Sequence, residues 1–292
     1  MAEDVEVTPR LRDWAMRTVR WEPARDAVKV AARQVARARG FALVRTNRVP
    51  DIATIFLASS PKAGSQWAKA VFDHPVVRQK TGLFTLPQLD YQALKPRRFP
   101  AGTLVPGLYV SYPHYLKIPK RFSYRTIYIF RDPRELVVSA YFSATETHRI
   151  IGKLGDVRQQ LQSLPIDEGL LQMIRLLGFR LEEMATWAGV DDPSVLFCRL
   201  EEIGADPRDN VARMLKHCGV TVSADEFETV LADTSRESLQ RKDLSGRTPG
   251  SESHYRVQRR SYQDLFTAEH YQAIEDIVPG LVQRLNYPPP PS

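Results

Sequence analysis

The run IATIFLA at 52–58 constrains this chain more than any other feature. It is short, apolar and rich in β-branched residues. A lone helix needs more length, whereas a strand buried on both faces of a parallel sheet has this character. It leads into SSPKAGSQ and then into WAKAVF, which reads as helix. The same order recurs at YRTIYIF (124–130), RDPRE and the helical LVVSAYFSATETH. A third strand is expected at VLFCRL (195–200), with a helix over 207–218. Helical patterns also fit 168–189, 223–232 and 267–284. Strands alternating with helices predict an α/β fold, a central parallel sheet with helices on both faces. Ligands of such folds sit beyond the carboxyl ends of the strands, where both loops lie.

The chain has 292 residues, 43% of them apolar, enough to bury a core. We expect a basic helical extension at 1–45, a single domain at 46–287 and a proline-rich tail at 288–292. Lys and Arg outnumber Asp and Glu by 41 to 34, a net charge of +7. That excess suits an anionic ligand, and equally an ordinary basic enzyme surface. It falls short of the bias of a chromatin protein, and nucleic acid is not expected as a partner. Cys198 and Cys218 are two cysteines in apolar surroundings, so reduced, buried thiols are expected rather than a disulfide framework. No apolar run approaches the ~18 residues of a membrane span. The start, MAEDVEVTPRLRDW, has no apolar stretch of the signal-peptide kind. These features predict a cytoplasmic protein. After Pro23, Val28, Val30, Ala31, Val35 and Ala38 recur loosely at helical period between Arg and Lys. Such a helix either meets an anionic membrane or a partner, or packs on the domain with a solvated outer face. The histidines are scattered and none pairs with a carboxylate at ligand spacing, so no metal is expected.

The loop at 59–67, SSPKAGSQW, has the makings of an anion cradle. A helix N-terminus offers unpaired N–H groups and partial positive charge. Gly64 allows close backbone approach, Lys62 adds a full charge, Ser65 and Gln66 add donors, and Trp67 offers a flat face to a base. It is not a Walker A motif, because Lys62 precedes the only glycine.

PKAGSQW resembles the 5′-phosphosulfate loop of the sulfotransferases that use 3′-phosphoadenosine 5′-phosphosulfate (PAPS), P-K-[ST]-G-[ST]-[ST]-W. Pro61, Lys62, Gly64, Ser65 and Trp67 match it, while Ala63 and Gln66 replace hydroxyl side chains and keep their backbone N–H groups. YIFRDPRELVVSAYF (128–142) resembles the second motif of the family, a strand ending in Arg, then Asn or Asp-Pro, then a Ser on the helix. Arg131 and Ser139 stand at those places. The resemblance implies that both contact the 3′-phosphate; read alone, Arg131 is equally a salt-bridge partner and Ser139 a surface helix residue. The third nucleotide segment of the family corresponds to SGRTPGSESHYRVQRRSYQDLFT (245–267). Phe266 and Thr267 match, Arg256 falls at the Lys position, and Tyr255 and Val257 replace Arg and Gly. In CRLEEI, Leu200 stands where the family has an aromatic residue.

The resemblance covers about residues 52 to 287. It implies a P-loop-NTPase-like sulfotransferase fold, PAPS as co-substrate, and transfer to a hydroxyl or amine of a small-molecule, lipid or carbohydrate acceptor. Lys62 would stabilise the bridging oxygen, with Ser139 beside it, and the base would be a His between the two motifs. His114 in YVSYPHYLKIP is that candidate, with Tyr112 where a second Lys is common and Lys117 nearby. His114 is otherwise a loop histidine; His74 also lies between the motifs but on the first helix, where it is expected to point away, and His148, on the helix after Ser139, is the next candidate. The aromatics Phe84, Tyr91, Phe99 and Tyr109, and the stretch 80–108 as a whole, suit either an acceptor pocket or the core. The competing functions are a catalytically inactive nucleotide-binding protein and a nucleotide-dependent phosphotransferase.

Overall fold

The structure, a computed structural model, describes residues 22–87, 98–147, 154–245 and 260–289. Five strands form one sheet: β1 (Thr54–Ser59), β2 (Phe84–Thr85), β3 (Thr103–Leu108), β4 (Tyr124–Phe130) and β5 (Val195–Arg199), in the order β2-β3-β1-β4-β5. All four pairings are parallel, so all five carboxyl ends share one edge. The helices are α1 (Glu22–Arg45), α2 (Ser65–Phe72), α3 (Pro75–Thr81), α4 (Tyr112–Leu116), α5 (Pro133–Phe142), α6 (Leu154–Gln162), α7 (Ile166–Ala185), α8 (Leu200–Ala205), α9 (Pro207–His217), α10 (Ala224–Asp233), α11 (Arg236–Ser245), α12 (Tyr262–Leu265), α13 (Ala268–Ile277) and α14 (Leu281–Arg284).

Strand alternation sorts the core into two layers. Ile55 and Leu57 of β1 join Ile127 and Ile129 of β4 against α2, α3, α8, α9 and α10. Phe56 and Ala58 join Tyr128 and Phe130 on the other face, against α1, α4, α5, α7, α13 and α14. Both central strands are thus buried on both sides, which is why their sequences read as continuous apolar runs. Trp187, stacked on Tyr128 at 4.3 Å between ring centroids, anchors the second layer.

Three segments differ from the sequence expectation. The stretch 80–108 holds β2 and β3, and Phe84 and Leu108 lie in the core. β3 reads TLVPGL, and a proline argues against a central strand. The chain accommodates it with an irregularity: the β1–β3 register slips between Phe56 and Ala58, opposite Pro106 and Gly107, where Gly107 has φ +64°. The helix expected over 267–284 is two, broken around Pro279 and Gly280 (φ +68°). The helix after RDPRE ends at Phe142 and continues as a π turn, Ser143–Thr147.

Candidate active site

β1 ends in Ser59, and α2 begins at Ser65, with the cradle between. Ser60 N–H donates to the Ile129 carbonyl, tying the loop to β4 (3.3 Å). Two residues then take the left-handed conformation, Lys62 at φ +62° and Gly64 at φ +86°. Glycine occupies that region freely, but a lysine there carries strain of about 1–2 kcal/mol. A Cβ on Gly64 would also lie 2.6 Å from Leu200 Cδ1. Leu200 opens α8 just beyond β5, so it packs on the turn of the cradle. The hydroxyls of Ser59 and Ser60 are buried and make no hydrogen bond among the described residues.

The side chains of the loop point to separate partners. The Lys62 ammonium donates to Ser143 Oγ at 3.0 Å. Ser65 Oγ and the Tyr109 phenol share a hydrogen bond of 2.8 Å. Trp67 is half-buried, and its Nε1 donates to the Thr234 carbonyl between α10 and α11 at 3.1 Å. Ala63 is buried in the core layer beneath, and Gln66 is exposed.

The second loop starts where β4 ends. Arg131 donates to the Lys62 carbonyl (3.4 Å) and pairs with Glu135 (3.3 Å). Burial lowers its pKa, opposed by Glu135, Glu201 and Asp132. Asp132 caps α5 through Arg134 N–H, and Pro133 takes the first helical position. The Asp132 carboxylate also holds the buried Arg134 guanidinium by two bonds, 2.8 and 2.6 Å. Burial alone would lower the Arg134 pKa, and the pairing with Asp132 outweighs it and raises it. Glu201 accepts from Asp132 N–H (3.2 Å) and from the Tyr287 phenol (2.8 Å). Glu135 Oε1 accepts from Ser261 Oγ (2.6 Å) and Tyr262 N–H (3.2 Å). The described end of the third nucleotide segment, at Ser261 and Tyr262, is therefore fastened to the second loop.

Of the residues expected at the site, Lys62, Ala63, Gly64, Ser65, Gln66 and Trp67 form the first loop or the opening turn of α2, and Arg131 reaches it. Ser139 is half-buried on α5, one turn before Ser143. Arg256, Tyr91 and His148 lie outside the described residues. His114 is half-buried on α4, and its ring makes no hydrogen bond among the described residues. On the same helix Tyr112 reaches Asp192 (3.1 Å) and Tyr115 reaches Thr126 (2.6 Å), toward the amino ends of β4 and β5. Tyr112 is thus a partly buried residue packed against the core, and Lys117 is exposed. His74 caps α3 and contacts Asp233 at 3.2 Å. Thr267 caps α13, and Phe266 stacks on His270. Among the other described aromatics of that set, Phe84 is in the core, Phe99 packs on Phe56, and Tyr109 meets the cradle.

Thr234 and Glu135 carry no sequence signal that singles them out. Ser143 carries only its place as the i+4 neighbour of Ser139 on one helix face. Tyr109 carries only the signal of an aromatic suited to a pocket or the core, because β3 is hidden by its proline.

Among the described residues no helix is long and apolar enough to cross a membrane. A family model described as a sulfotransferase domain matches residues 53–285. A flavonol sulfotransferase-like protein of Flaveria bidentis is 22% identical over 262 residues, 77% of this chain and 80% of the relative. The flavonol 4′-sulfotransferase of Flaveria chlorifolia is 22% identical over 265 residues, 77% of each. Mouse sulfotransferase SULT7A1, solved in complex with PAP, superposes with a TM-score of 0.56 at 15% identity, covering 79% of this chain and 85% of that one, which shows a shared fold. With the family model spanning the whole sheet and both loops, this chain belongs to the sulfotransferase family.

Proposed function

We propose that this enzyme transfers a sulfuryl group from PAPS to a hydroxyl or amine of a small-molecule acceptor. The observation that carries the reading is the strained loop itself: Lys62 and Gly64 are both left-handed, at the mouth of α2. Such strain persists where surrounding contacts over-determine it, and it clusters at ligand clamps. The residues present fit the donor. The N–H groups from Ala63 to Gln66, the Lys62 ammonium and the Ser65 hydroxyl would hold the 5′-phosphosulfate, while the Trp67 N–H is already bonded to the Gly64 carbonyl (2.9 Å) and the buried hydroxyls of Ser59 and Ser60 lie at the edge of the loop. Arg131 and Ser139 would take the 3′-phosphate, and Trp67, fixed by Thr234, would face the base. Bound there, PAPS supplies an activated sulfuryl group and a phosphate leaving group. Lys62 would offset charge developing at the bridging oxygen, and His114 would accept the acceptor proton.

The acceptor class follows the Flaveria relatives, whose names specify flavonols; a phenolic acceptor comes first here, with lipid and carbohydrate hydroxyls next. A phosphotransferase fits less well, because Lys62 precedes the glycine. An inactive binding protein is disfavoured by the intact Lys62, Arg131 and Ser139, although it too would use a strained clamp. The test is turnover of radiolabelled PAPS across phenol, steroid, sugar and amine acceptors, with binding of 3′-phosphoadenosine 5′-phosphate (PAP) and AMP measured alongside. PAP should bind much more tightly than AMP. Equal affinities would remove the roles given to Arg131 and Ser139, and turnover of ATP in place of PAPS would replace the reading. His114→Ala should keep PAP affinity and lose at least ~100-fold in rate; a retained rate rejects His114 as base.

A peripheral contact with an anionic membrane is a second proposal, favoured by the outer face of α1. Its inner face docks on the domain through Ala32, Ala36 and Gly40, whereas Val30 and Phe41 stand 51% and 68% exposed. Residues 27–50 hold Lys and Arg but no acid. Co-sedimentation with phosphatidylglycerol vesicles at low salt, lost in Phe41→Glu, is the expected result; no binding by the unaltered protein ends the proposal.

A further inference from the structure

Tyr109 follows β3 directly, at the carboxyl edge of the sheet. Its backbone neighbourhood is held from one direction, by the last turns of α7 and the residues just after it. Arg180 Nη1 donates to the Tyr109 carbonyl at 3.3 Å and pairs with Glu183 at 2.7 Å. Trp187 Nε1 donates to the Val110 carbonyl at 2.8 Å. Tyr112 N–H donates to Thr186 Oγ1 at 2.8 Å. Three side chains from one stretch of chain thus fix residues 109–112, and Trp187 among them is buried in the core. A short segment pinned at three points presents its side chain rigidly, and here that side chain is the phenol bonded to Ser65 Oγ.

Two hydroxyls bonded to one another hold two protons. One is used in the mutual bond, whichever group donates it, and the other needs an acceptor outside the pair. An anion in the cradle accepts and never donates. We infer that Tyr109 is a positioning residue of the cradle: paired with Ser65, it forms a two-hydroxyl unit that presents a single, oriented O–H to the 5′-phosphosulfate end of the donor. The inference rests on the PAPS reading above and deepens it. Without the phenol, the Ser65 hydroxyl is free to turn to neighbouring carbonyls, and the ligand must reorient it on binding. Hydrogen bonds to charged groups are among the stronger ones, so losing this orientation is measurable.

The experiment compares PAP with 3′-AMP, which lacks the 5′-phosphate, by calorimetry on the full chain and its Tyr109→Phe, Ser65→Ala and double variants. Melting temperatures check that each variant folds. In Tyr109→Phe, PAP affinity should fall about tenfold, which is ~1.4 kcal/mol, with 3′-AMP affinity unchanged. Ser65→Ala should weaken PAP similarly, and adding Tyr109→Phe to it should cost less than twofold more, since the unit is already broken. Equal loss for both nucleotides would make Tyr109 a merely structural residue and overturn the inference, as would additive losses in the double variant. If the unaltered chain bound neither nucleotide, the PAPS reading itself would fall and this inference with it. If it bound both and Tyr109→Phe changed neither, only the Tyr109 role would be refuted.

Discussion

Gly64 is where two independent physical demands coincide, and their sum can be worked out. At φ +86° any L-residue pays roughly 1–2 kcal/mol relative to glycine. A new Cβ would sit 2.6 Å from Leu200 Cδ1, well inside ordinary carbon–carbon contact. The clashing atom is the end of a flexible side chain, so relief by rotating Leu200 off its preferred rotamer costs about 1 kcal/mol. Gly64→Ala should therefore lose about 2–3 kcal/mol of stability, enough to shift a urea midpoint clearly without unfolding a domain of ordinary stability. Adding Leu200→Ala removes the clash but not the dihedral cost, and costs something itself through lost packing. The pair should show favourable coupling of about 1 kcal/mol in a double-mutant cycle. PAP binding should fall in both backgrounds, because the backbone of the cradle has moved. A Gly64→Ala protein within about 0.5 kcal/mol of the parent would refute the reasoning. So would complete rescue by Leu200→Ala, which would leave the left-handed conformation with no energetic role.

Lys62→Met should lower kcat by about two powers of ten and weaken PAP binding less, if the ammonium acts on charge that develops during transfer; steady-state kinetics with titration of PAP decides it. Burial holds the Lys120 pKa down at about 8, against an ordinary 10.5, with Asp192 opposing the shift. The unfolded chain therefore binds more protons than the folded one between those values, so the Lys120 contribution to stability should rise with pH across that window. Raised thiol pKa values at Cys198 and Cys218 lower stability in the upper part of that range, so the Lys120 effect is read as a difference: the urea midpoint of the parent should rise relative to that of Lys120→Met as pH goes from about 8 to 10.5, and a constant difference refutes the assignment. Burial pushes the Cys198 thiol up to about 12 and raises Cys218 as well. Neither should react with a thiol reagent at neutral pH in the native state, and both should react in urea.

What the sequence made legible was what is encoded locally. β4 is found at Tyr124–Phe130, as its β-branched run suggests, and both loops fall at strand-to-helix junctions. What stayed hidden was encoded by contacts distant in the chain. β3 carries Pro106 and Gly107, residues that locally argue against a strand, and it forms because β1 and β2 pair on either side and its apolar residues fill both core layers. With β3 went Tyr109. Tyr112 stands where a second Lys is common in the family the chain resembles, yet its ring lies 5.0 Å from Trp187 and its hydroxyl finds Asp192. Local sequence gives no means of telling those two tyrosines apart. In the sequence Leu200 stands out only as the replacement of an aromatic, whereas in the fold it packs against a glycine more than a hundred residues earlier.

The cradle has to be held from several sides because its own conformation is unfavourable. A lysine at φ +62° next to a glycine at φ +86° would relax if the loop stood alone. Each tether comes from a different element. Ser143 takes the Lys62 ammonium, Arg131 takes its carbonyl, and Leu200 closes over Gly64. Ser65 is met by Tyr109, and Trp67 is tied to Thr234. The tethers are themselves joined, since Arg131 leans on Glu135, which binds Ser261, and Asp132 N–H is held by Glu201 beside Leu200. A loop fixed in this way would meet the donor anion proposed for it with little reorganisation, which is the condition under which dipoles and a fixed charge contribute most to a transfer reaction. The arrangement also separates the effects of substitution. Removing a tether such as Ser143 should loosen Lys62 while leaving the N–H groups of α2 in place, so rate should suffer before nucleotide affinity does. Removing Gly64 distorts the backbone and should damage both together.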